Sequence, residues 1–126
     1  MTHDAALRLI RAAERTTDTQ QTSGMTREVA IAKEGIWAAY VRTEPGMASG
    51  WHHHAAYETA IYVLKGRVRF EFGEGGASAI EAGPDDFVHV PPGAVHRESN
   101  PDASEGQIVV IRAGTGVPNV NVAGPA

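Results

Sequence analysis

The chain has 126 residues, no cysteine, a net charge of −4 and a sequence pI near 5.8. This length suits one domain with one core. The lack of cysteine excludes disulfides, thiolate metal sites and a cysteine nucleophile, and the acidic balance argues against a nucleic-acid partner, which would need a basic face. No segment approaches the roughly 20 apolar residues that cross a bilayer, so we expect a cytoplasmic protein with no membrane partner.

Residues 1–24 are predicted to form an N-terminal helix and a linker. The segment HDAALRLIRAAER contains good helix formers, with Thr2 or Asp4 near its N-cap. Its apolar residues recur at helical spacing, at Ala6, Leu9, Ile10 and Ala13. We expect this short amphipathic helix to cover an open edge of the domain.

From residue 25 the apolar pattern changes to a period of two, which is typical of β-strands. The segments that show it are REVAIAKE, IWAAYVRTE, TAIYVLKG, RVRFEF, ASAIEAG, DFVHVPPG and GQIVVIRAG. Gly35 separates the first two segments, GEGG predicts a hairpin turn, and two prolines end the sixth. Short strands with frequent turns predict an all-β barrel or sandwich over residues 25–113. Residues 114–126 are expected to form an extended arm.

Three of the six histidines are consecutive, at positions 52–54. On a strand, His52 and His54 project to one face and His53 to the other, and Glu58 shares the parity of the first two. His96 follows the proline-rich turn. Imidazole and carboxylate groups together suit divalent first-row metals, and an incomplete ligand set is typical of catalytic metals. Each of these residues taken singly is more often a packed or surface residue, so the pattern alone leaves both interpretations open.

The spacing of these residues resembles the two sequence motifs of the cupin superfamily. The first motif is G-x5-H-x-H-x3,4-E-x6-G, and the residues that match it are Gly46, His52, His54, Glu58 and Gly66. Seven residues, in place of six, precede the last of these glycines. The second motif is G-x5-P-x-G-x2-H-x3-N, and the residues that match it are Pro91, Gly93, His96 and Asn100. Asp85 stands where this motif begins with glycine.

The resemblance implies a small antiparallel jelly-roll barrel with one divalent metal ion inside its mouth. It implies His52, His54, Glu58 and His96 as the metal ligands. Iron, manganese, nickel, copper and zinc all accept such ligands, so the sequence does not select the metal. His53 is expected to face away from the site.

A homodimer is also expected, partly because many cupins are homodimers. If Glu58 points into the barrel, strand parity places Ala60, Tyr62 and Leu64 inside as well. The alternate residues Thr59, Ile61 and Val63 would then face outward. A second subunit could cover that apolar face.

Two functional hypotheses of different classes follow. The first is a metal-dependent enzyme acting on a small molecule, most concretely a dioxygenase-like oxidoreductase with a 3-His-1-Glu mononuclear centre, or a metal-dependent isomerase. Glu58 would be its catalytic residue if it leaves the metal and takes a proton. The second is a non-catalytic module that binds or senses a small molecule, for example a sugar. The sequence does not decide between them, because unrelated activities share this scaffold.

Overall fold

Residues 6–125 are described by a computed structural model, and they form ten strands in two antiparallel sheets. The strands are β1 (Met25–Lys33), β2 (Gly35–Thr43), β3 (His52–His53), β4 (Glu58–Lys65), β5 (Val68–Phe72), β6 (Ser78–Ala82), β7 (Phe87–Val90), β8 (His96–Ser99), β9 (Gly106–Gly114) and β10 (Val120–Asn121). The first sheet has the order β1-β2-β9-β4-β7 and the second β10-β3-β8-β5-β6. This arrangement confirms the predicted antiparallel jelly-roll.

The core lies between the inner faces of the two sheets. In β5 the alternation predicted from RVRFEF is confirmed, because Val68 and Phe70 are buried while Arg69 is half-buried. The apolar side chains of the core come from both sheets, and they include Val29, Val41, Ile61, Val63, Phe70, Val88, Ile108 and Val110. Their burial supplies the main driving force for closing the two sheets on each other.

Strand β4 faces the opposite way from the prediction. Its inner face carries Thr59, Ile61 and Val63, which are 1%, 3% and 0% exposed. Its outer face carries Glu58, which is exposed, and Tyr62, which is half-buried. The prediction rests on the assumption that Glu58 points into the barrel. The three β-branched side chains pack better between the sheets than an alanine, a tyrosine and a leucine, and they set the orientation of the strand.

The predicted N-terminal helix is wrong for the described residues. Only a 3-10 turn forms, at Ala12–Glu14, and Leu7 and Leu9 are 96% and 68% exposed. A segment this short is marginal as an isolated helix, and the exposed Leu9 of its apolar stripe adds little packing energy. The proposed caps Thr2 and Asp4 lie outside the described residues. In that described part, no helix has the length and apolar character needed to span a bilayer.

Two connections in the fold differ from the sequence interpretation. The segment before β1 does cover its edge, but through isolated bridges: Thr16 pairs with Val29, by backbone hydrogen bonds of 3.0 and 2.7 Å, and Thr22 pairs with Met25. The C-terminal arm is partly a strand, because β10 pairs with β3. The second half of the cupin-like pattern also forms a strand, β8, which the sequence analysis had not assigned.

Asp85 occupies a backbone conformation that favours glycine. Its φ is +74°, in the left-handed region, which aspartate tolerates better than most residues. Its side chain accepts a hydrogen bond of 2.6 Å from the Tyr62 hydroxyl. The glycine of the cupin motif and this aspartate therefore serve the same turn, which leads into β7.

We predict that Asp85→Ala lowers the free energy of unfolding by about 1 kcal/mol. Alanine is strained in the left-handed region and cannot accept the hydrogen bond from the Tyr62 hydroxyl. Asp85→Gly should be more stable than Asp85→Ala. Urea unfolding of the two variants and the parent measures both differences. Equal stabilities for the alanine and glycine variants would contradict this account of the turn.

Candidate metal centre

Three buried histidines converge between the sheets. His52 on β3 pairs directly with His96 on the neighbouring strand β8, and His54 follows β3 immediately. The three side chains are 5%, 3% and 6% exposed in that order. Each offers one ring nitrogen, and these atoms all lie within 4.8 Å of one another. The structure thus brings together three of the four side chains singled out in the sequence.

Each of the three imidazole rings is held by a backbone carbonyl. Nδ1 of His52 lies 2.9 Å from the Gly50 oxygen, that of His54 2.8 Å from the Pro118 oxygen, and that of His96 2.9 Å from the Ala94 oxygen. A carbonyl oxygen can only accept, so Nδ1 must carry the proton in each ring. In the neutral rings Nε2 is then the atom with a free lone pair, as a metal ligand requires.

The protonation state also suits metal binding. Burial lowers the pKa of His52, and burial together with the charge of Arg112 lowers the pKa of His54 to about 3. These rings are therefore neutral near pH 7. Within the described range 6–125, the buried Nε2 of His52 has no hydrogen-bond partner, which is costly for a polar atom unless something else binds it. The donor set fits a divalent first-row metal ion.

Local hydrogen bonds connect the two segments that supply the rings. The turn at Pro91 places the Ala94 carbonyl against His96, and the Gly93 N–H donates to the Ala55 carbonyl at 2.8 Å, directly after His54. The proline and glycine of the second motif therefore serve to join that turn to the first histidine segment.

Glu58 does not join the cluster, and its predicted place among the ligands is corrected. It starts β4 on the outer face, with its side chain 57% exposed, and its Oε2 lies 2.9 Å from Nε2 of His89. Because Thr59 occupies the inward position at this end of β4, the neighbouring carboxylate must face solvent. His53 also lies outside the cluster, and its Nδ1 accepts a hydrogen bond from the Ala55 N–H at 3.0 Å.

The carboxylate that does reach the histidines is Glu98. It is 6% exposed, and its Oε1 lies 3.7 Å from Nε2 of His52. Glu98 is two residues after His96 on β8, so strand parity places both on the inner face. This signal was available in the sequence, but the segment after the proline-rich turn was not recognised as a strand.

The cupin-domain sequence model matches residues 39–115. The chain belongs to the cupin family. The match contains all three buried histidines and Glu98. No curated protein matches this cupin significantly.

Solved structures of similar fold are numerous. The polyketide cyclase RemF from Streptomyces resistomycificus superposes with a TM-score of 0.76 at 18% identity, over 93% of this cupin and 86% of that chain. A double-stranded beta-helix protein from Klebsiella pneumoniae gives 0.73 at 16%, over 93% and 98%. Oxalate decarboxylase from Bacillus subtilis gives 0.69 at 20%, over 81% of this cupin and 28% of that chain. Identities this low establish the fold alone.

Two cavities of different character border the histidines of the cupin. An apolar cleft of about 170 Å³ reaches His96, and its other walls include Phe70, Phe72, Ile80 and Val88. A separate small space of about 10 Å³ touches His54, Glu98 and two buried arginines, Arg27 and Arg112. The same two arginines line a wider cavity of about 140 Å³, called the polar cavity here because most of its lining residues carry polar or charged groups. The histidines therefore border an apolar cleft and a small space lined by charged side chains.

We predict that only one of the two carboxylates affects metal affinity. Glu98→Gln should weaken metal binding roughly 10- to 100-fold, because a carboxylate beside a ligand ring supports the bound cation. Glu58→Gln is the matched control and should leave the affinity unchanged, since its side chain faces solvent. Competition titrations with a metal-sensitive chelating dye give both constants. A loss of affinity in the Glu58 variant alone would restore the original assignment.

We also predict an acid-sensitive stability of the metal-free cupin. The folded-state pKa of His54, about 3, lies below the ordinary value of 6.5. As the pH falls from 6.5 toward 3, His54 takes up a proton in the unfolded chain but not in the folded chain. The free energy of unfolding therefore falls by up to about 1.4 kcal/mol per pH unit. Above pH 6.5 this contribution is constant.

The measurement is urea unfolding at several pH values for the parent and for His54→Gln. Carboxylates add their own acid dependence in both proteins, so the informative quantity is the difference between the two slopes. The variant should show the shallower slope between pH 6.5 and 4. Parallel slopes would mean that His54 is not buried in its neutral form.

Proposed function

We propose that this cupin is a mononuclear metal-dependent enzyme acting on a small molecule, most concretely a dioxygenase-like oxidoreductase. The observation that carries the proposal is the orientation of the three rings. All three Nδ1 atoms are tied to carbonyls, which directs the remaining ring nitrogens to a common position. Three protein ligands leave coordination positions free, as is typical of catalytic metal sites.

His52, His54 and His96 would hold the metal, with Glu98 beside them. A metal bound there supplies Lewis acidity, and iron adds the capacity for chemistry with dioxygen. The chain's own residues orient and enclose the reactants. The interior position of the three rings shields the centre from bulk water, and both adjoining cavities are small enough to select against large ligands.

Glu98 takes the acid–base role that the sequence analysis gave to Glu58. Its carboxylate is buried and reaches the centre, so Oε1 can accept a proton from a bound substrate and return it. The carboxylate also offsets part of the positive charge in the interior. Glu58 lacks both properties because it is exposed and pairs with His89.

Two alternatives remain within the same site. An isomerase would use the metal as a Lewis acid with Glu98 moving the proton, and would consume no oxygen. A binding or sensing cupin, for example for a sugar, would hold a ligand without converting it. Support for an enzyme comes from similar folds that are a polyketide cyclase and an oxalate decarboxylase, although fold likeness alone is a weak argument for activity.

The homodimer and the cytoplasmic location remain predictions. The apolar face on which the dimer was predicted is not exposed, because Ile61 and Val63 belong to the core. The outer face of the first sheet instead exposes Ile36, Phe87 and Ile111, which are 43%, 73% and 39% exposed. Apolar side chains gathered on one sheet face favour a covering partner.

The first experiment is metal analysis of protein purified without an affinity tag. We expect about one equivalent of a divalent first-row metal per chain, and a loss of most of it in His54→Gln. His89→Gln is the matched control, because His89 is exposed on the outer face, and it should keep the metal. No metal in the parent, even after reconstitution with iron, manganese or nickel, would overturn the proposal.

Turnover then separates the functional classes. Iron-loaded protein is screened with small catechols, enediols and organic acids in an oxygen electrode, and substrate loss is followed in parallel. A dioxygenase places both atoms of each oxygen molecule in the product, so oxygen uptake and substrate loss should agree one to one. Isomerisation without oxygen uptake would favour the isomerase. Saturable binding without any conversion would favour the binding module.

A further inference from the structure

Two buried arginines that the sequence analysis did not single out lie next to the candidate metal centre. Arg27 on β1 and Arg112 on β9 are 8% and 7% exposed. Both line the small space that touches His54 and Glu98, and both line the wider polar cavity beyond it. They therefore stand between that cavity and the histidines. A ligand that enters from the polar side must pass both guanidinium groups.

Arg112 has little compensation for its charge. Its guanidinium stacks on the Trp37 ring at 4.4 Å from the centroid. Within residues 6–125, however, its Nε has no hydrogen-bond partner, and Glu98 acts on it without forming an ion pair. Burial, together with the like charge of Arg27, lowers the pKa of Arg112 to about 10, so the group stays charged near pH 7. An unpaired buried charge is costly, which indicates a missing anionic partner.

Arg27 is partly engaged in holding the chain. It donates to the Thr22 hydroxyl at 3.0 Å and to the Gln20 carbonyl at 3.4 Å. These contacts fix the segment that forms one wall of the polar cavity, and burial lowers the pKa of Arg27 as well. Among residues 6–125, the buried charged side chains are the two arginines and one acid, Glu98, while the neutral rings of His52 and His54 add no charge. A bound metal would increase the positive excess further.

We propose that Arg27 and Arg112 form a subsite for the carboxylate of a small organic acid, on the path between the polar cavity and the histidines. A guanidinium presents its N–H groups in a planar fork that matches a carboxylate in two parallel hydrogen bonds. Trp37 and Pro118 supply apolar walls for the carbon atoms of the ligand. As a substrate contact the subsite rests on the proposed function, but its ability to bind an anion does not depend on the metal.

The geometry also assigns a direction to the ligand. With its carboxylate at Arg112, the rest of a short organic acid extends either into the polar cavity or toward His54 and Glu98. Only the second orientation presents the ligand to the metal centre. Anchoring one end of a substrate in this way fixes the distance and angle of the reacting end, which is a large part of the catalytic effect of a preorganised site.

The test measures the melting temperature with propionate as the probe, a monocarboxylate that chelates metals weakly. Parent protein is scanned in 20 mM propionate, in inorganic phosphate and in chloride, all at equal ionic strength. We expect propionate to raise the Tm of the parent above chloride by about 3 °C, as a ligand of millimolar affinity should. Arg112→Met should lose this shift, and Arg112→Lys should reduce it, because lysine keeps the charge without the fork.

Arg69→Met is the matched control. Arg69 is partly exposed on β5 and pairs with Glu81, so the control should retain the full shift. An equal shift in the Arg112 and Arg69 variants would overturn the subsite, because it would reflect a general effect of the salt. A larger shift with phosphate than with propionate would overturn the assignment to a carboxylate in favour of a tetrahedral oxyanion.

Scans of the metal-free parent, dialysed free of chelator, separate this proposal from the proposed function. A propionate shift that persists without metal supports the arginine subsite whether or not the metal analysis succeeds. A shift that appears only in metal-loaded protein would place propionate on the metal and overturn the subsite. If Arg112→Met does not fold, the comparison of Arg112→Lys with the parent decides the outcome.

Discussion

Three hydrogen bonds from buried imidazoles to backbone carbonyls set the arrangement on which the rest of this site depends. A buried imidazole needs a partner for its N–H, since an unsatisfied polar group in the interior costs about 1–3 kcal/mol. Backbone carbonyls meet that need and are difficult to displace, because their positions belong to the β-ladders and tight turns around them. The remaining nitrogens are then oriented by the fold itself, before any ligand arrives.

The sequence allowed much of this centre to be predicted, and the reasons are local. His52 and His54 stand two apart, His96 follows a proline–glycine turn, and both spacings persist in the folded chain. Glu58 shows where this reasoning fails. Strand parity predicts which face a side chain occupies only along an unbroken strand. The turn at Ala55, whose φ is +51°, lies between His54 and Glu58, so the facing of the histidine does not predict that of the glutamate.

The strands could be predicted from the sequence, whereas the structure of the N-terminal segment could not. An alternation of apolar and polar residues, as in β5, predicts both the buried and the solvent-facing side of a strand. The stripe at Leu9 and Ile10 shows only that a helix could be amphipathic. Whether it forms depends on a surface to receive it, and that surface is a property of the tertiary structure. The buried arginines were missed because charged side chains are rarely buried, although Arg27 shares strand parity with Val29 and Arg112 shares it with Val110.

The position of Pro118 has a consequence for how the centre is assembled. Its carbonyl orients the ring of His54 from 64 residues further along the chain, and the short strand that follows it pairs with β3. During synthesis the histidine segment emerges long before this partner does. Until then, one of the three rings is free to rotate and to present either nitrogen. The metal-binding geometry is therefore complete only after Pro118 has been synthesised, and an ion captured earlier would meet a looser and less selective set of donors.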